Sequence, residues 1–196
     1  MKFTTLAAAG LAAVIAGGAA EAATIAPSVT YWSGTEVDGS VRSDTDNVND
    51  GDTTDFLSLG LGGFAVFHVP GMFTGPSAVV EVTFNLIDPK LGPYTEAAQL
   101  YGGYSFDGST LAGFTKLGDV ITNAEAVGGA IVNFTGTYSW LAILDVTKSV
   151  FPKSPSNDGF DLASITVAPV PLPAGAVLMA SGLAGLAALR RRKKAA

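Results

Sequence analysis

The sequence predicts an all-β protein: a single jelly-roll-like β-sandwich set between an N-terminal signal peptide and a C-terminal hydrophobic helix. Three observations predict it. Apolar and β-branched runs in the middle of the chain are short and bounded by Gly, Pro, Asn and Asp, as strands joined by turns require. Some of them alternate apolar and polar residues, as in Val80-Glu81-Val82-Thr83-Phe84. Both ends, by contrast, are long uncharged runs flanked on the outside by basic residues.

Met1-Lys2 supplies a cationic start, Phe3 to Ala20 an alanine-rich stretch without charge, and Ala20-Glu21-Ala22 a small-x-small pattern. These are the three parts of a secretory signal peptide over residues 1–22, with Ala20 and Ala22 marking the cut by signal peptidase. Gly10, Gly17 and Gly18 would make the same stretch a poor buried helix.

Residues 23–169 are the length of one domain. Expected strands are Val29–Trp32, Glu36–Val41, Phe56–Leu59, Phe64–Val69, Val79–Ile87, Ala98–Ser105, Thr115–Leu117, Ile131–Phe134, Thr137–Val146 and Phe160–Val167. Tyr138 to Leu144 is nearly all apolar and so predicts a central strand covered on both faces. Asn123–Val127 and Thr147–Val150 are the two candidate helical turns. Phe151 to Gly159 is a polar, proline-containing crossover, and Ala168-Pro169 a short linker to the tail. Glycine is abundant without a period, so no repeat architecture is implied.

Composition narrows the chemistry. The chain has no cysteine, which removes disulfides and thiol catalysis and leaves an exported domain held by its core alone. A domain of about 150 residues buries ~70% of its unfolded surface, which suffices. The whole chain carries a formal charge of −6. The body is far more acidic: Arg42, Lys90, Lys116, Lys148 and Lys153 face sixteen acids, a net charge of −11. Such a surface repels nucleic acid and anionic membranes and suits neutral ligands or divalent cations. It also keeps a secreted protein soluble.

The most polar stretch is Asp44-Thr-Asp46-Asn-Val-Asn49-Asp50-Gly51-Asp52-Thr-Thr-Asp55. It is not an EF-hand: with Gly51 at position 6, position 3 is Val48 and position 12 is Leu57. Crowded carboxylates still repel unless a cation or water intervenes, so a structural calcium on Asp50, Asp52 and Asp55 is the candidate metal site. Gly60-Leu-Gly62-Gly-Phe-Ala65 matches G-x-G-x-x-A in letters only. It runs into the strand-like Phe64-Ala-Val-Phe-His-Val, whereas a dinucleotide fingerprint must open a helix. His68 is the single histidine, expected on an edge strand; with no cysteine it offers no ordinary zinc set, and no G-x-S-x-G elbow stands ready to pair with it. No catalytic residue is assigned. Acid pairs for glycoside hydrolysis are numerous, and none is singled out. Aromatic residues offer stacking for sugars: Tyr31, Trp32, Tyr94, Tyr101, Tyr104 and Trp140 are the candidates. Tyr94, in the irregular loop from Asp88 to Glu96, is the preferred one, because loops on a rigid sandwich carry binding. Trp140 is expected in the core.

Asp50-Gly51-Asp52 followed by two threonines and an aromatic strand opening resembles the loop that starts galactose-binding-like β-sandwiches, the group of discoidin-type domains and many carbohydrate-binding modules. Asp158-Gly-Phe-Asp161-Leu-Ala-Ser-Ile-Thr-Val resembles their last strand. The resemblance implies a structural calcium near Asp50 and Asp52, with Asp55 standing where those domains place a threonine.

At the C-terminus, Gly175 to Leu189 is uncharged, and as a helix it would be about 22 Å long at ~1.5 Å per residue, short of the roughly 30 Å bilayer core. Arg190, Arg191, Arg192, Lys193 and Lys194 would stop transfer and hold that end in the cytoplasm. Pro171 and Pro173 mark the helix start. Val170-Pro171-Leu172-Pro173-Ala174, the apolar helix 175–189 and the basic end 190–194 together resemble the VPLPA-CTERM sorting signal, a variant of the PEP-CTERM signal of Gram-negative bacteria. That resemblance covers residues 170–196 and implies recognition by an exosortase, transient inner-membrane anchoring, and release to the cell surface or extracellular matrix.

The sequence therefore reads as an exported surface or matrix protein, structural or adhesive, that meets exopolysaccharide and no nucleic acid. The alternative is a carbohydrate-binding module with a structural calcium; a secreted hydrolase ranks third.

Overall fold

The computed structural model describes residues 24–34, 41–52, 54–82, 87–88 and 92–170. The expected signal peptide with Ala20 and Ala22, the expected motif residues Pro171 to Ala174, the apolar run 175–189 and Arg190 to Lys194 lie outside the described residues. So does the expected strand Glu36–Val41, apart from Val41.

In chain order the elements are β1 (Val29–Trp32), β2 (Leu57–Ser58), β3 (Phe64–Glu81), β4 (Ile87–Asp88), β5 (Gly92–Pro93), β6 (Ala97–Gly103), β7 (Thr115–Thr122), α1 (Asn123–Ala126), β8 (Ala130–Val132), β9 (Tyr138–Asp145), α2 (Thr147–Val150) and β10 (Asp161–Pro169). Two short 3-10 turns, Val41–Ser43 and Thr45–Asn47, precede β2. The all-β expectation holds, and both expected helical turns form. Among the described residues no helix is long and apolar enough to cross a membrane.

All strand pairings are antiparallel. The order β2-β10-β3-β9-β6-β7, with β1 and β8 also on β3, is a sandwich whose two layers share one strand. The first half of β3 pairs with β1 and β9, from Phe64↔Leu144 to His68↔Trp140. Its second half pairs with β10 and β8, including Val79↔Ile165 and Ser77↔Val132. Between the halves the register against β9 shifts, from His68 to Phe73. The expected strand Phe64–Val69 and the start of the expected strand Val79–Ile87 thus belong to one bent strand, while residues 83–86 lie outside the described residues and Ile87 opens β4. Gly71 at φ 85° turns the backbone while hydrogen bonding continues past the bend.

The core lies between the layers. Phe67, Phe73, Leu100, Leu141, Ile143, Phe160 and Ile165 are fully buried there. β9 sits between β3 and β6, as its unbroken apolar run requires. His68, by contrast, is on an interior strand and not an edge: its side chain points to solvent and its ring lies 4.7 Å from Trp140. Trp140 is half-buried on the outer face, where Phe106 also covers it at 5.8 Å. The alternation of β9 therefore places this indole outside and Leu141 inside.

Candidate functional site

The polar stretch before β2 builds a cleft at the edge of the sandwich. Its backbone is held by side chains rather than by strands. Asp44 Oδ1 accepts the Asp46 amide at 3.0 Å and starts the second 3-10 turn. Asn47 Nδ2 donates to the carbonyls of Val41 and Phe56, both at 3.1 Å, so one amide closes the loop on itself. Asn49, at φ 67°, donates to the Pro27 carbonyl at 2.8 Å and accepts the Ile165 amide at 2.8 Å, which staples the loop to the N-terminal segment and to β10. The result is a cavity of about 560 Å³ lined by Arg42, Asp44, Asn47, Thr54, Asp55 and Phe56, with exposed Val41 beside them. Arg42 lies over the Phe56 ring, 5.1 Å from its centroid.

Asp50, Asp52 and Asp55 all lie on this loop. Asp50 Oδ1 accepts the Asp52 amide at 2.8 Å, and Asp52 Oδ1 accepts both the amide and the hydroxyl of Thr54, at 2.8 and 2.6 Å. Those bonds hold the Asp52 carboxyl below its ordinary range. Asp55 is shifted the other way, by desolvation first and then by the charges of Asp50, Asp52 and Asp44; its Oδ1 is enclosed without a hydrogen-bond partner. The carboxylates of Asp50 and Asp52 thus turn back on their own loop, and among the described residues no three carboxylate or imidazole groups converge as a metal-ligating set. The calcium that the sequence resemblance implies would thus have to draw on more than these carboxylates, and no chemistry is derived through a metal.

Behind Arg42 lies a feature with no sequence signal. Glu81 from β3, Glu96 before β6, Asp158 from the crossover and Asp161 from β10 meet at the end of the core. Glu81, Glu96 and Asp161 are each at least 95% buried. Arg42 pairs closely with Asp158 through Nη1, while its Nη2 stands 3.8 Å from Asp161 Oδ2. Ser156 donates to Glu96 Oε1 at 2.6 Å. Burial first, then the charges of Asp161 and Glu81, push Glu96 up to about 9. Tyr94, expected as an exposed stacking residue, belongs to this cluster: it is half-buried, its hydroxyl donates to Asp158 Oδ1 at 2.9 Å, and burial pushes its phenol up to about 12.

The other candidate aromatics disperse. Tyr31 packs on Phe64 and Phe106 at 5.6 and 5.3 Å on the outer sheet face. Trp32 Nε1 donates to the Ser58 carbonyl at 3.0 Å, and Tyr101 is half-buried on β6. Tyr104 is 68% exposed, with Tyr138 5.8 Å away. A second groove, of about 390 Å³, lies between β7, α1 and β8 and is lined by Asp119, Ile121, Glu125, Ile131 and Asn133 among others. Unlike the first cleft, its lining holds neither an aromatic ring nor a cation. Sequence reasoning singled out the loop of the first cleft but missed Arg42, Asn47 and Phe56. An isolated arginine opening an acidic stretch was the one signal available for it.

No protein-family model matches the chain, and no curated protein matches it. Solved structures do. The C-terminal domain of a chitobiase from Bacteroides fragilis is similar with a TM-score of 0.51 at 11% identity, over 74% of this chain and 94% of that one. The family 32 carbohydrate-binding module from Streptococcus pneumoniae EndoD follows at 0.49 and 13%, over 76% of this chain and 100% of that one. A truncated AlyQ with carbohydrate-binding and alginate lyase domains matches at 0.49 and 12%, over 77% of this chain; the chain spans 35% of that protein. At such identities the likeness concerns the fold alone.

Proposed function

We propose that the body of this protein binds carbohydrate through the cleft at Arg42, Asp44, Asn47, Asp55 and Phe56, and that the chain is a non-catalytic, exported protein of the bacterial surface or matrix. The observation that carries the binding reading is the cleft itself: a concave site on a sandwich edge where an aromatic ring, a guanidinium and carboxylates converge. Carboxylates accept hydrogen bonds from sugar hydroxyls, and the Arg42 guanidinium, backed by the buried Phe56 ring, can donate to them. The domain of a chitobiase shares the fold, which makes a glycan the ligand class to test first.

Export and sorting rest on the two termini. The signal peptide delivers the chain to signal peptidase, and the VPLPA-type tail delivers it to an exosortase, which removes or exchanges the apolar helix. Exopolysaccharide is then the partner available to the cleft. The inner acids are engaged with one another and with Arg42.

A glycan array with the full chain tests the binding reading. Saturable binding competed by free oligosaccharide is expected, with Asp44→Ala and Arg42→Ala each weakening it by about tenfold, the equivalent of ~1.4 kcal/mol. Absence of binding across neutral and charged glycans would remove it. The mass of the mature protein from intact cells tests the sorting reading: both ends should be missing, and a Pro171→Ala, Pro173→Ala double variant should keep its tail.

A further inference from the structure

The buried carboxylates have a consequence for the cleft, because both share Arg42. Asp161 is 95% buried, and its Oδ1 has no hydrogen-bond partner. It is faced by Asp158 from the crossover, Glu81 from β3, Glu96 from the segment before β6, the Ser58 hydroxyl from β2, and one cation, Arg42. The guanidinium serves these acids unequally. It pairs closely with Asp158, whose other oxygen also accepts the Tyr94 hydroxyl, and it stays 3.8 Å from Asp161. Two adjacent ionised carboxylates would draw a forked guanidinium between them. A protonated Asp161 would leave such a loose second contact. Desolvation first, then Asp158, hold that group up near about 8 against the opposing pull of Arg42.

We propose that the protonation state of Asp161 sets the position of Arg42: with Asp161 protonated the guanidinium pairs with Asp158 and lies over Phe56, and once Asp161 ionises it moves inward to bridge both carboxylates and leaves the cleft wall. The cleft then loses its cationic face on the alkaline side. That consequence for ligand binding rests on the carbohydrate-binding reading; the movement itself does not.

A pH titration of the isotope-labelled full chain in detergent micelles, followed by NMR without ligand, tests it. The Asp161 carboxyl carbon should titrate well above the ordinary carboxylate range. The Arg42 guanidinium signals, with Cζ 5.1 Å from the Phe56 ring centroid, should shift with the same midpoint. In Asp161→Asn the arginine signals should stay fixed across the titration. An Asp161 carbon that titrates near its ordinary value of 3.8, or arginine signals that ignore its titration, would overturn the proposal. Should Asp161→Asn not fold, the two wild-type curves decide alone. A chain that binds no glycan leaves these curves unaffected, so failure here and failure on the array are separate results.

Discussion

Asn49 stands at φ 67°, a conformation asparagine tolerates better than other side chains, and its amide bonds both the Pro27 carbonyl and the Ile165 amide. Asn49→Ala should lower stability by about 2 kcal/mol in denaturant melts, because two buried-side backbone groups lose partners and the backbone keeps its strain. Asp145 is a second such residue. It is 97% buried and accepts the amides of Gly62 and Phe160, both at 3.0 Å, and of Thr147 at 3.2 Å, with the Thr147 hydroxyl at 2.6 Å. It ties the end of β9 to the β2–β3 turn and to the start of β10. Asp145→Ala should cost about 3–5 kcal/mol, seen as a large drop in melting temperature, since three amides would be left unsatisfied.

Elements hold one another at a few close approaches. β7 crosses near β8 at Gly118, where φ is +58° and a Cβ would strike Val132 and come within 3.0 Å of the Asn133 carbonyl oxygen. Gly118→Ala should destabilise by roughly 1–3 kcal/mol, from strain and overpacking together, and equilibrium unfolding would measure it. Gly63 is tighter: a Cβ there would run into the Leu59 carbonyl oxygen. The glycine run before β3 is therefore a turn shaped by backbone contact, which is why its dinucleotide-like spelling has no phosphate to serve. β3 makes the same point at greater length. Its prolines and glycines suggest an interruption, yet β9, β10 and β8 supply partners on either side of the bend and keep the strand continuous.

Across the whole molecule, charge and burial meet at the inner carboxylates. Glu96 is raised from 4.5 to about 9 and Asp161 from 3.8 to about 8. The folded state thus holds these protons more tightly than the unfolded chain. Their contribution to stability is full below about pH 4 and is lost as pH rises through 8 and 9. The melting midpoint should fall between mildly acidic and alkaline buffer, and Glu96→Gln should flatten that fall by keeping a neutral side chain at every pH. Equal midpoints in the wild type across that range would contradict the assignment. The exposed Asp107, pulled down to about 2 by the Thr110 and Ser109 amides, works in the opposite sense and only in strong acid.

The sequence by itself determined the strand-rich fold class, and it is the sole ground for the proposed terminal addresses. Ten short apolar runs with turn chemistry between them led to the sandwich, because strand periodicity and turn residues act over neighbouring positions. β1 and the two helical turns fell close to their expected places, and β9 was legible as central from its unbroken apolar run. The proposed terminal signals are likewise local, being read by length, charge and order alone. Only the tertiary structure decided the rest. Arg42, Asp158 and Asp161 are brought together across more than a hundred residues of chain, and nothing in the spacing of a lone arginine says which carboxylates it will meet. Tyr94 turned inward for the same reason: a side chain's partners depend on which strand ends converge, and that is set by how the layers pack, not by any neighbour in the chain.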